Sequence, residues 1–385
     1  MTYEEKLSKL IQCETVSKLG QTDLSKFYNC HKLLKELFPN IFAAAAYTDF
    51  DGVMLLVWKG KDPSLKPIMF MNHMDVVEAN GKWTYPPFSG KIADGKVYGR
   101  GSQDTKDGLF AMLQAADELA AEGFVPKQDI YFESTCNEEI SGEGADKLSD
   151  YFKSQGIELE CVYDEGGKVS EDGTLAQVGL SEKGIVELEF VATSEGGHAS
   201  RPPKNSPLVR LGRLMAAVDD STDLFPSKFV EETGETEETT IAFTVAQGSE
   251  GRNVLPTRAS VICSMRCSHH QGVDGSINAV TEFAKKFGVE VNVLFKGLDA
   301  PISKWPDARL SAAIESVFPG AKVKPYIMKG ATDSLFYSKV CKNIYRFSPV
   351  KASEAQIASI HSNDENINID SLKPAVETFK FLMKA

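Results

Sequence analysis

The sequence predicts an α/β protein into which a smaller α+β sandwich is inserted. The segments 51–59 and 66–74 contain the continuous apolar runs VMLLVW and PIMFM, which are typical of strands buried on both faces of a mixed or parallel sheet. From 184 to 295 the pattern changes to strand, helix, strand, strand, helix, strand, the order of a small α+β sandwich, and an α/β pattern returns afterwards. We therefore predict a discontinuous larger domain, 1–183 and 296–385, and an inserted domain, 184–295.

Composition and charge argue against several classes of protein. The 385 residues suffice for about two domains, and a net charge of −12 without basic blocks argues against a nucleic-acid partner or a membrane surface. No apolar run approaches the ~20 residues of a membrane span, and the first residues lack the apolar core of a signal peptide. The seven cysteines are scattered and contain no CxxC pair, which is typical of reduced thiols. We expect a cytoplasmic protein that binds neither nucleic acid nor membrane.

The stretch ESTCNEEISG, residues 133–142, carries two adjacent carboxylates just past a predicted strand. Neighbouring side chains at a strand end point in different directions, so one of Glu138 and Glu139 would bind a metal while the other faces a substrate water. Metal-assisted hydrolysis needs that division between a fixed ligand and a free general base. The alternative is an acidic surface turn, because Glu is most often a solvated residue.

A histidine and an aspartate end the second apolar strand, in the order His73-Met74-Asp75. Residues two apart on a strand share a face, so both side chains point the same way. A metal-binding imidazole usually donates its other N–H to a carboxylate, and this spacing suits such a pair. The alternative is a buried histidine with a carboxylate partner and no metal.

Further acidic residues lie at comparable places. Asp104 lies in GRGSQDTKDG at the turn into a predicted helix; the segment fits neither GxGxxG nor a P-loop, and Asp104 or Asp107 alone would also serve as a helix cap. Asp164 and Glu165 stand in the strand CVYDEGG. Open α/β sheets bind ligands beyond the carboxyl ends of their strands. Three predicted strands therefore end at one site, namely those that carry His73 and Asp75, Glu138 and Glu139, and Asp164 and Glu165. The oxygen and imidazole ligands of this site suit zinc, cobalt or manganese.

Single residues in the later part of the chain are weaker candidates. His198 stands in SEGGHAS and Asn253 in GRNVLP, while Arg266 ends the next strand. In isolation, His198 is more typical of a surface loop and Arg266 of an exposed ion pair. Gly330 lies in the glycine-containing turn KGATD, and His361 lies in a polar loop where a buried structural role is less natural.

Taken together and in order, these motifs resemble the co-catalytic zinc hydrolases that include acetylornithine deacetylase, succinyl-diaminopimelate desuccinylase, aminoacylase and glutamate carboxypeptidase. The resemblance covers nearly the whole chain through HMD, GRGSQDTKDG, NEEISG, DEGG, GGHAS, GRNVLP, the arginine at 266, GATD and the late histidine at 361. DEGG followed by SEKG is more similar to the carboxypeptidase and N-acyl-amino-acid hydrolase branch than to the desuccinylases. Asn137 stands where the family often has Asp, and Asp107 where Gly is frequent; neither departure removes a ligand.

The resemblance implies a site for two Zn²⁺ per chain, with Co²⁺ or Mn²⁺ as substitutes. The implied ligands are Asp104 for both metals, His73 with Glu165 for the first, and Glu139 with His361 for the second. Asp164 stays open as the alternative to Glu165, because relatives place either acid of DEGG at the metal.

The same resemblance implies the remaining roles. Glu138 is the general base that takes a proton from the attacking water and returns it to the leaving amine, and Asp75 orients His73. His198 helps to hold the tetrahedral oxyanion. Arg266 and Asn253 are implied to bind the terminal carboxylate of the substrate, for which Arg suits a planar two-point contact. Gly330 is implied as a further substrate-binding residue.

The resemblance also implies the architecture, a zinc-peptidase-like catalytic domain with a ferredoxin-like lid that forms a homodimer. In dimeric relatives the histidine equivalent to His198 comes from the neighbouring lid. Monomeric relatives have an enlarged lid, for which the segment 184–295 leaves little room. The peptide bond between Asp104 and Thr105 is expected to be cis.

We therefore expect a metal-dependent hydrolase that cleaves an amide or peptide bond next to a free α-carboxylate, as a dipeptidase or carboxypeptidase does. The alternative is an N-acyl-amino-acid amidohydrolase of the aminoacylase type, because the residues of the reaction centre are shared. The substrate is then a small peptide or an N-acyl amino acid, selected in part by the loop from Trp83 to Phe88. Two different classes stay open: an inactive peptide-binding protein, which loss of Glu138 or of a ligand would favour, and a protein with a single or structural metal.

Overall fold

The computed structural model describes the whole chain, Met1 to Ala385. Its helices are α1 (Tyr3–Gln12), α2 (Ser25–Leu37), α3 (Pro39–Ala44), α4 (Lys106–Ala121), α5 (Glu143–Ser154), α6 (Pro207–Asp219), α7 (Gly272–Lys285), α8 (Ala308–Val317), α9 (Glu354–Ala358) and α10 (Leu372–Lys384), with 3-10 helices at Asp333–Lys339 and Ile369–Ser371. None of these helices combines the length and the apolar character that a membrane crossing requires.

The strands are β1 (Ala46–Phe50), β2 (Val53–Trp58), β3 (Ile68–Met71), β4 (Lys91–Ala93), β5 (Lys96–Tyr98), β6 (Ile130–Ser134), β7 (Cys161–Ser170), β8 (Leu175–Glu182), β9 (Gly184–Thr193), β10 (Gly197–His198), β11 (Lys228–Val230), β12 (Glu235–Glu237), β13 (Thr240–Gln247), β14 (Val254–Leu255), β15 (Arg258–Cys267), β16 (Glu290–Lys296), β17 (Lys322–Met328), β18 (Ile344–Ala352) and β19 (Asn366–Asn368).

The chain forms two compact units, each with its own buried apolar core. The first unit comprises 1–181, 302–326 and 332–385, and the second comprises 182–301 and 327–331. The predicted fold class, an α/β protein with an inserted α+β sandwich, is confirmed. The division into a catalytic domain and a lid domain at 184 and 295 stays a prediction.

The first unit is built on an eight-stranded mixed sheet in the order β1-β2-β6-β3-β7-β18-β8-β17. The central strands β6, β3, β7 and β18 are parallel to one another. Their residues are buried almost throughout, which explains the continuous apolar runs in the sequence. The helix α4 packs against α1, α3 and α10. Because parallel neighbours end at one edge of the sheet, the residues after β3 and β6 come together there.

The second unit contains an antiparallel sheet in the order β13-β15-β9-β16. Alternate residues of β9, including Val186, Leu188 and Phe190, are buried, and α6 and α7 pack against β9 and β15. One face of the sheet is therefore covered by two helices, as the alternating sequence pattern predicts. The strands β13 and β16 form the two edges of this sheet.

The segment 231–240, EETGETEETT, is polar and charged, a composition that predicts a loop. This prediction is wrong, because β11 and β12 form a short antiparallel hairpin across the segment. The turn contains Gly234 at a φ of 69°, and Glu237 is buried where it accepts hydrogen bonds from His269. A hairpin of this kind needs only paired backbone groups and a left-handed turn residue, so it leaves no apolar signal in the sequence.

Candidate metal centre and catalytic residues

Five of the predicted side chains come together in the first unit as two adjoining groups. Each group offers three ligand atoms that lie within 4.8 Å of one another. The first group consists of His73, Asp104 and Glu165, and the second of Asp104, Glu139 and His361. Asp104 belongs to both groups, and its two oxygens face different histidines, with Oδ1 at 3.0 Å from His73 Nε2 and Oδ2 at 3.0 Å from His361 Nε2.

The orientation of His73 follows from its position just after β3. Its Nδ1 lies 2.9 Å from the backbone oxygen of Asp75 and 3.5 Å from the Asp75 carboxylate. The shorter contact is to a carbonyl, so Nδ1 carries the proton and Nε2 is left free to bind a metal. The nearest partner of Nδ1 is therefore the backbone oxygen of Asp75, and the carboxylate that was expected to orient His73 lies farther away.

The carboxylate of Asp75 has a second set of partners. Its two oxygens accept hydrogen bonds from the backbone amides of Glu138 and Glu139, at 3.1 and 3.2 Å. This contact fixes the turn after β6 and so directs both glutamates. Glu139 Oε2 lies 3.0 Å from His361 Nε2, whereas Glu138 belongs to neither ligand group and lies 3.9 Å from His73 Nε2.

Asp164 and Glu165 are separated by an irregularity in β7. Opposite β18, Arg346 pairs with Asp164 and the next residue, Phe347, pairs with Gly167, so Glu165 and Gly166 are extra residues in β7. Such a bulge turns a side chain away from its regular direction. Glu165 Oε1 lies 3.2 Å from His73 Nε2. Asp164 is a member of neither ligand group; its carboxylate accepts from the amides of Glu165 and Ser334.

Asp104 stands on a close-packed turn. The bond from Asp104 to Thr105 is cis, so that prediction is confirmed. Thr105 donates a hydrogen bond to the side chain of Asn72, and a Cβ added to Gly108 would lie 1.9 Å from Asn72 Oδ1. A glycine at 108 is thus required for α4 to approach the residue that precedes His73.

The protonation of these groups reflects burial and crowded charge. Burial raises the pKa of the Glu138 carboxyl well above its usual range and that of Glu165 to about 8. Burial acts the same way on Asp104, but hydrogen bonds from His361 and His73 outweigh it and hold the pKa of Asp104 well below its usual range. Hydrogen bonds to Asp104 and Glu139 raise the pKa of His361 to about 10. A cluster that attracts protons this strongly also favours cations, and its oxygen and imidazole donors suit divalent metals.

The remaining predicted residues lie in the second unit. His198 is exposed on β10, where its Nδ1 lies 2.7 Å from Ser200 Oγ. It pairs with Val254 on β14, and the backbone oxygen of Asn253 accepts a hydrogen bond from Ala199. His198 and Asn253 therefore lie together, beside the start of β15.

Arg266 and Gly330 are placed differently. Arg266 lies near the end of β15, with its guanidinium 3.3 Å from Ser264 Oγ. Gly330 is exposed, and a Cβ added there would meet nothing within 4 Å. The roles predicted for these four residues of the second unit stay predictions.

Sequence reasoning missed a set of buried polar residues behind the ligands. Glu365 and Arg100 are buried and joined at 2.6 Å, and Lys168 donates to the backbone oxygen of Gln103 at 2.9 Å. The signal that was available is slight: Glu365 follows His361 by four positions in a polar loop, and Lys168 follows Glu165 by three. Neither spacing distinguishes a buried partner from a solvated charge.

The fold and the two ligand groups define a metal-dependent hydrolase of amide or peptide bonds. The chain belongs to the peptidase family M20/M25/M40, whose model matches residues 69–385. The chain is 31% identical to the N-fatty-acyl-amino acid synthase/hydrolase PM20D1 of Bos taurus, over 99% of this chain and 87% of that protein. It is 28% identical to a carboxypeptidase S-like protein of Dictyostelium discoideum, over 99% of this chain and 84% of that protein.

Solved structures share the fold. The M20 metallo-carboxypeptidase Sso-CP2 of Sulfolobus solfataricus superposes with a TM-score of 0.77 at 17% identity, covering 100% of this chain and 99% of that one. The dipeptidase Dug1p of Saccharomyces cerevisiae gives 0.70 at 15% identity, covering 99% and 95%. At these identities the likeness concerns the fold alone, and it extends over both units of the chain.

Proposed function

We propose that the protein is a zinc-dependent peptidase that releases an amino acid with a free α-carboxylate from a dipeptide or a short peptide. One observation carries this proposal: two three-ligand groups share Asp104, and Glu138 stands beside them without belonging to either. That arrangement separates metal binding from proton transfer, as metal-assisted hydrolysis requires. The histidine and carboxylate ligands suit Zn²⁺, with Co²⁺ or Mn²⁺ as substitutes.

The first ion would be held by His73, Asp104 and Glu165, and the second by Asp104, Glu139 and His361. When bound, two such ions polarise the scissile carbonyl and lower the pKa of water. Glu138 takes the proton of the attacking water and delivers it to the nitrogen of the leaving amine. Its buried position and raised pKa support this role, because a carboxyl that is easily protonated takes a proton from water and can return it to the amine.

An N-acyl-amino-acid hydrolase is the second candidate. The relatives support both: a carboxypeptidase S-like protein and a hydrolase of N-fatty-acyl amino acids each align over 99% of this chain. Both reactions cleave an amide next to a free α-carboxylate, so the same ligands and the same base serve either. The difference lies in the group on the other side of the bond, which is a charged amino terminus in a dipeptide and an uncharged acyl chain otherwise.

A matched release assay tests the two candidates. A dipeptide and an N-acyl amino acid that yield the same leaving amino acid are compared at equal concentrations, with Zn²⁺, Co²⁺ or Mn²⁺ added. A higher kcat/KM for the dipeptide supports the peptidase, and a higher value for the acyl substrate supports the alternative. The Glu138→Ala variant is the control for a contaminating hydrolase. Hydrolysis of neither substrate with two metals bound per chain would contradict the proposal.

The geometry of the second unit supports a dimer in which His198 acts on the neighbouring chain. His198 and Asn253 lie beside the start of β15, whereas Arg266 lies near its other end. The stretch of β15 from Arg258 to Arg266 spans roughly 26 Å at strand geometry. If Arg266 and His198 serve one substrate, which is much shorter than this, they come from different chains.

The surface beside His198 suits such a contact. The strand β13 is an edge of its sheet, and three apolar side chains of this unit are exposed: Val245 on β13 at 43%, Leu208 at 49%, and Val254, which pairs with His198, at 53%. Leu208 lies over Gly248, which follows β13 directly. An exposed edge strand with apolar neighbours is a ready surface for pairing with a second copy. We expect the homodimer to form through this edge.

The state of the cysteines supports a proposal for the cellular compartment. All seven are free thiols, and six of them are buried, as expected in a reducing compartment. We propose that the protein works in the cytoplasm, which fractionation of cells that produce the tagged chain would test; recovery from the medium would contradict it.

A further inference from the structure

Gln103, which precedes the shared ligand Asp104 in the chain, makes three buried hydrogen bonds. The amide of Gln103 donates to Glu365 Oε1 at 2.8 Å, and its carbonyl accepts from Lys168 Nζ at 2.9 Å. Its side-chain nitrogen donates to the backbone oxygen of Gln356 at 2.7 Å. All four residues are buried. The backbone that carries Asp104 therefore has no freedom to shift without breaking buried hydrogen bonds.

Glu365 joins two segments through one carboxylate. Its Oε2 accepts from Arg100 at 2.6 Å and from the amide of Gly101 at 3.2 Å, while Oε1 takes the amide of Gln103. Arg100 also donates to the carbonyl of Ser362 at 3.0 Å. Glu365 is fully buried and Arg100 is 2% exposed, so solvent does not weaken these contacts. The segment before Asp104 and the segment after His361 are thereby held together.

Gln103, Ser362 and Lys168, which take part in these contacts, lie close to metal ligands in the chain. Asp104 follows Gln103 directly, His361 precedes Ser362 directly, and Lys168 lies on the same strand as Glu165. His361 itself has a φ of 59°, a conformation that non-glycine residues rarely adopt. Its loop therefore depends on neighbouring contacts to keep its shape, and the contact of Arg100 with Ser362 is one of them.

We propose that Glu365 is a positioning residue that, with Arg100, sets the separation between the metal ligands Asp104 and His361. The proposal rests on the metal site of the proposed function. Asp104 and His361 both belong to the second ligand group, whereas His361 has no part in the first. Loss of the Glu365 contacts therefore disturbs binding of one metal ion more than binding of the other.

The experiment measures zinc binding to purified, metal-free protein, using a competing chelator to bring tight binding into range. The variant is Glu365→Gln, which keeps the size of the side chain but turns one acceptor into a donor that faces an N–H group. We expect one of the two zinc equivalents to bind about tenfold or more weakly, the range found when a partner of a metal ligand is lost, and the other to change less than threefold. The kcat should fall and recover in part when excess zinc is added.

A matched control separates positioning from a general loss of stability. Asp117 is a buried carboxylate on α4 that also accepts from backbone amides, those of Asn40 and Ile41. Asp117→Asn should lower the melting temperature of the metal-free protein as Glu365→Gln does, and leave both zinc affinities within threefold. Equal weakening of both equivalents in Glu365→Gln, unchanged affinities, or the same weakening in Asp117→Asn would overturn the proposal.

A second variant tests the proposal if the Glu365→Gln protein does not fold. Arg100→Lys keeps the charge beside Glu365 but lacks the second donor that reaches Ser362. We therefore expect a smaller weakening of the same zinc equivalent. Unchanged zinc binding in a folded Arg100→Lys protein would count against the proposal. The proposed function fails separately: wild-type protein that binds two zinc ions and hydrolyses no amide would refute the function and leave the positioning role intact.

Discussion

His73 and His361 approach opposite oxygens of a single carboxylate, that of Asp104, each through Nε2 at 3.0 Å. One histidine follows a central strand and the other lies in a loop near the end of the chain. A carboxylate that faces both imidazoles in this way is suited to bridge two cations. Substitution of Asp104 is therefore expected to affect both metal ions together.

Asp104→Asn should lose both metal ions, because the amide offers only one neutral oxygen where the carboxylate offers two charged ones. We expect each affinity to fall about a hundredfold or more, since loss of an outer partner alone costs about 10- to 100-fold. Metal analysis after dialysis checks this, with Asp117→Asn as the buried-carboxylate control. Retention of one full equivalent would mean that Asp104 does not bridge.

Glu138→Ala and Glu139→Ala form a matched pair on adjacent residues. Glu138→Ala should lower kcat by about 10²- to 10⁴-fold, the usual contribution of a general base, while two metals stay bound. Glu139→Ala should lose metal as well, because Glu139 contacts His361 in the second ligand group. Activity assays and metal analysis on the same preparations provide the comparison. Equal metal content in the two variants would show that the roles are divided differently.

The pKa of His361, raised to about 10 by hydrogen bonds to Asp104 and Glu139, predicts how metal binding depends on pH. Since a metal ligand must be the neutral imidazole, metal uptake below pH 10 displaces this proton, which by itself makes the apparent affinity rise about tenfold per pH unit. Calorimetry in buffers of different ionisation enthalpy would detect the released proton. Proton release that is unchanged in His361→Asn would contradict the assignment.

The raised pKa of His361 also predicts how the stability of the metal-free protein depends on pH. A folded-state pKa above the unfolded value means that the protonated imidazole stabilises the fold fully below about pH 6.5, and that this contribution is lost as the pH rises towards 10. The melting temperature measured in chelator should therefore decline over that range, and less so in His361→Asn. An identical decline in both proteins would assign the effect to other groups.

The proposed dimer predicts complementation between two inactive variants. His198→Ala and Glu138→Ala are mixed under conditions that exchange subunits. A mixed dimer carries one site with an intact Glu138 and an intact His198 from the neighbouring chain, so activity should return to a fraction of the wild-type value. Absence of recovery, when exchange has been shown with differently labelled chains, would mean that His198 works within its own chain or has no role.

Cys13 should be the most reactive thiol. A hydrogen bond from Cys30, together with the charge of Lys106, lowers the pKa of Cys13 to about 7 against the effect of burial, and Cys13 is the one cysteine that is not fully buried. Alkylation by iodoacetamide should therefore modify Cys13 first, with a rate that rises through pH 7. Peptide mass spectrometry identifies the site, and Cys13→Ser is the control. Faster labelling of another cysteine would contradict the assignment.

Most of the ligands stand in short motifs of distinctive composition, so the sequence indicated them, whereas their division into two groups was implied by the resemblance alone. His73 follows a continuous apolar strand, and the adjacent glutamates 138 and 139 follow another, so parallel pairing of β3 and β6 was enough to bring them together. His361 was predicted only by resemblance, since its loop has no pattern of its own. The choice between Asp164 and Glu165 depended on a bulge in β7, which composition does not encode.

The buried contacts of Glu365 could not be predicted from the sequence, for a different reason. Arg100 and Gln103 are far from Glu365 in the chain, and an acidic residue in a polar loop is normally solvated. Only the packing of the segment 99–103 against that loop removes the water. The hairpin of β11 and β12 was missed because paired backbone groups leave no trace in side-chain composition.

The position of β18 bears on how the protein is made. This strand lies between β7 and β8 in the large sheet, yet it follows the whole of the segment 182–301 in the chain. During synthesis the strands β1 to β8 emerge from the ribosome well before β18, which leaves the edge of β7 without its parallel neighbour. His361 emerges later still, so an incomplete chain lacks one of the proposed metal ligands, and we expect it to be inactive until the fold is complete.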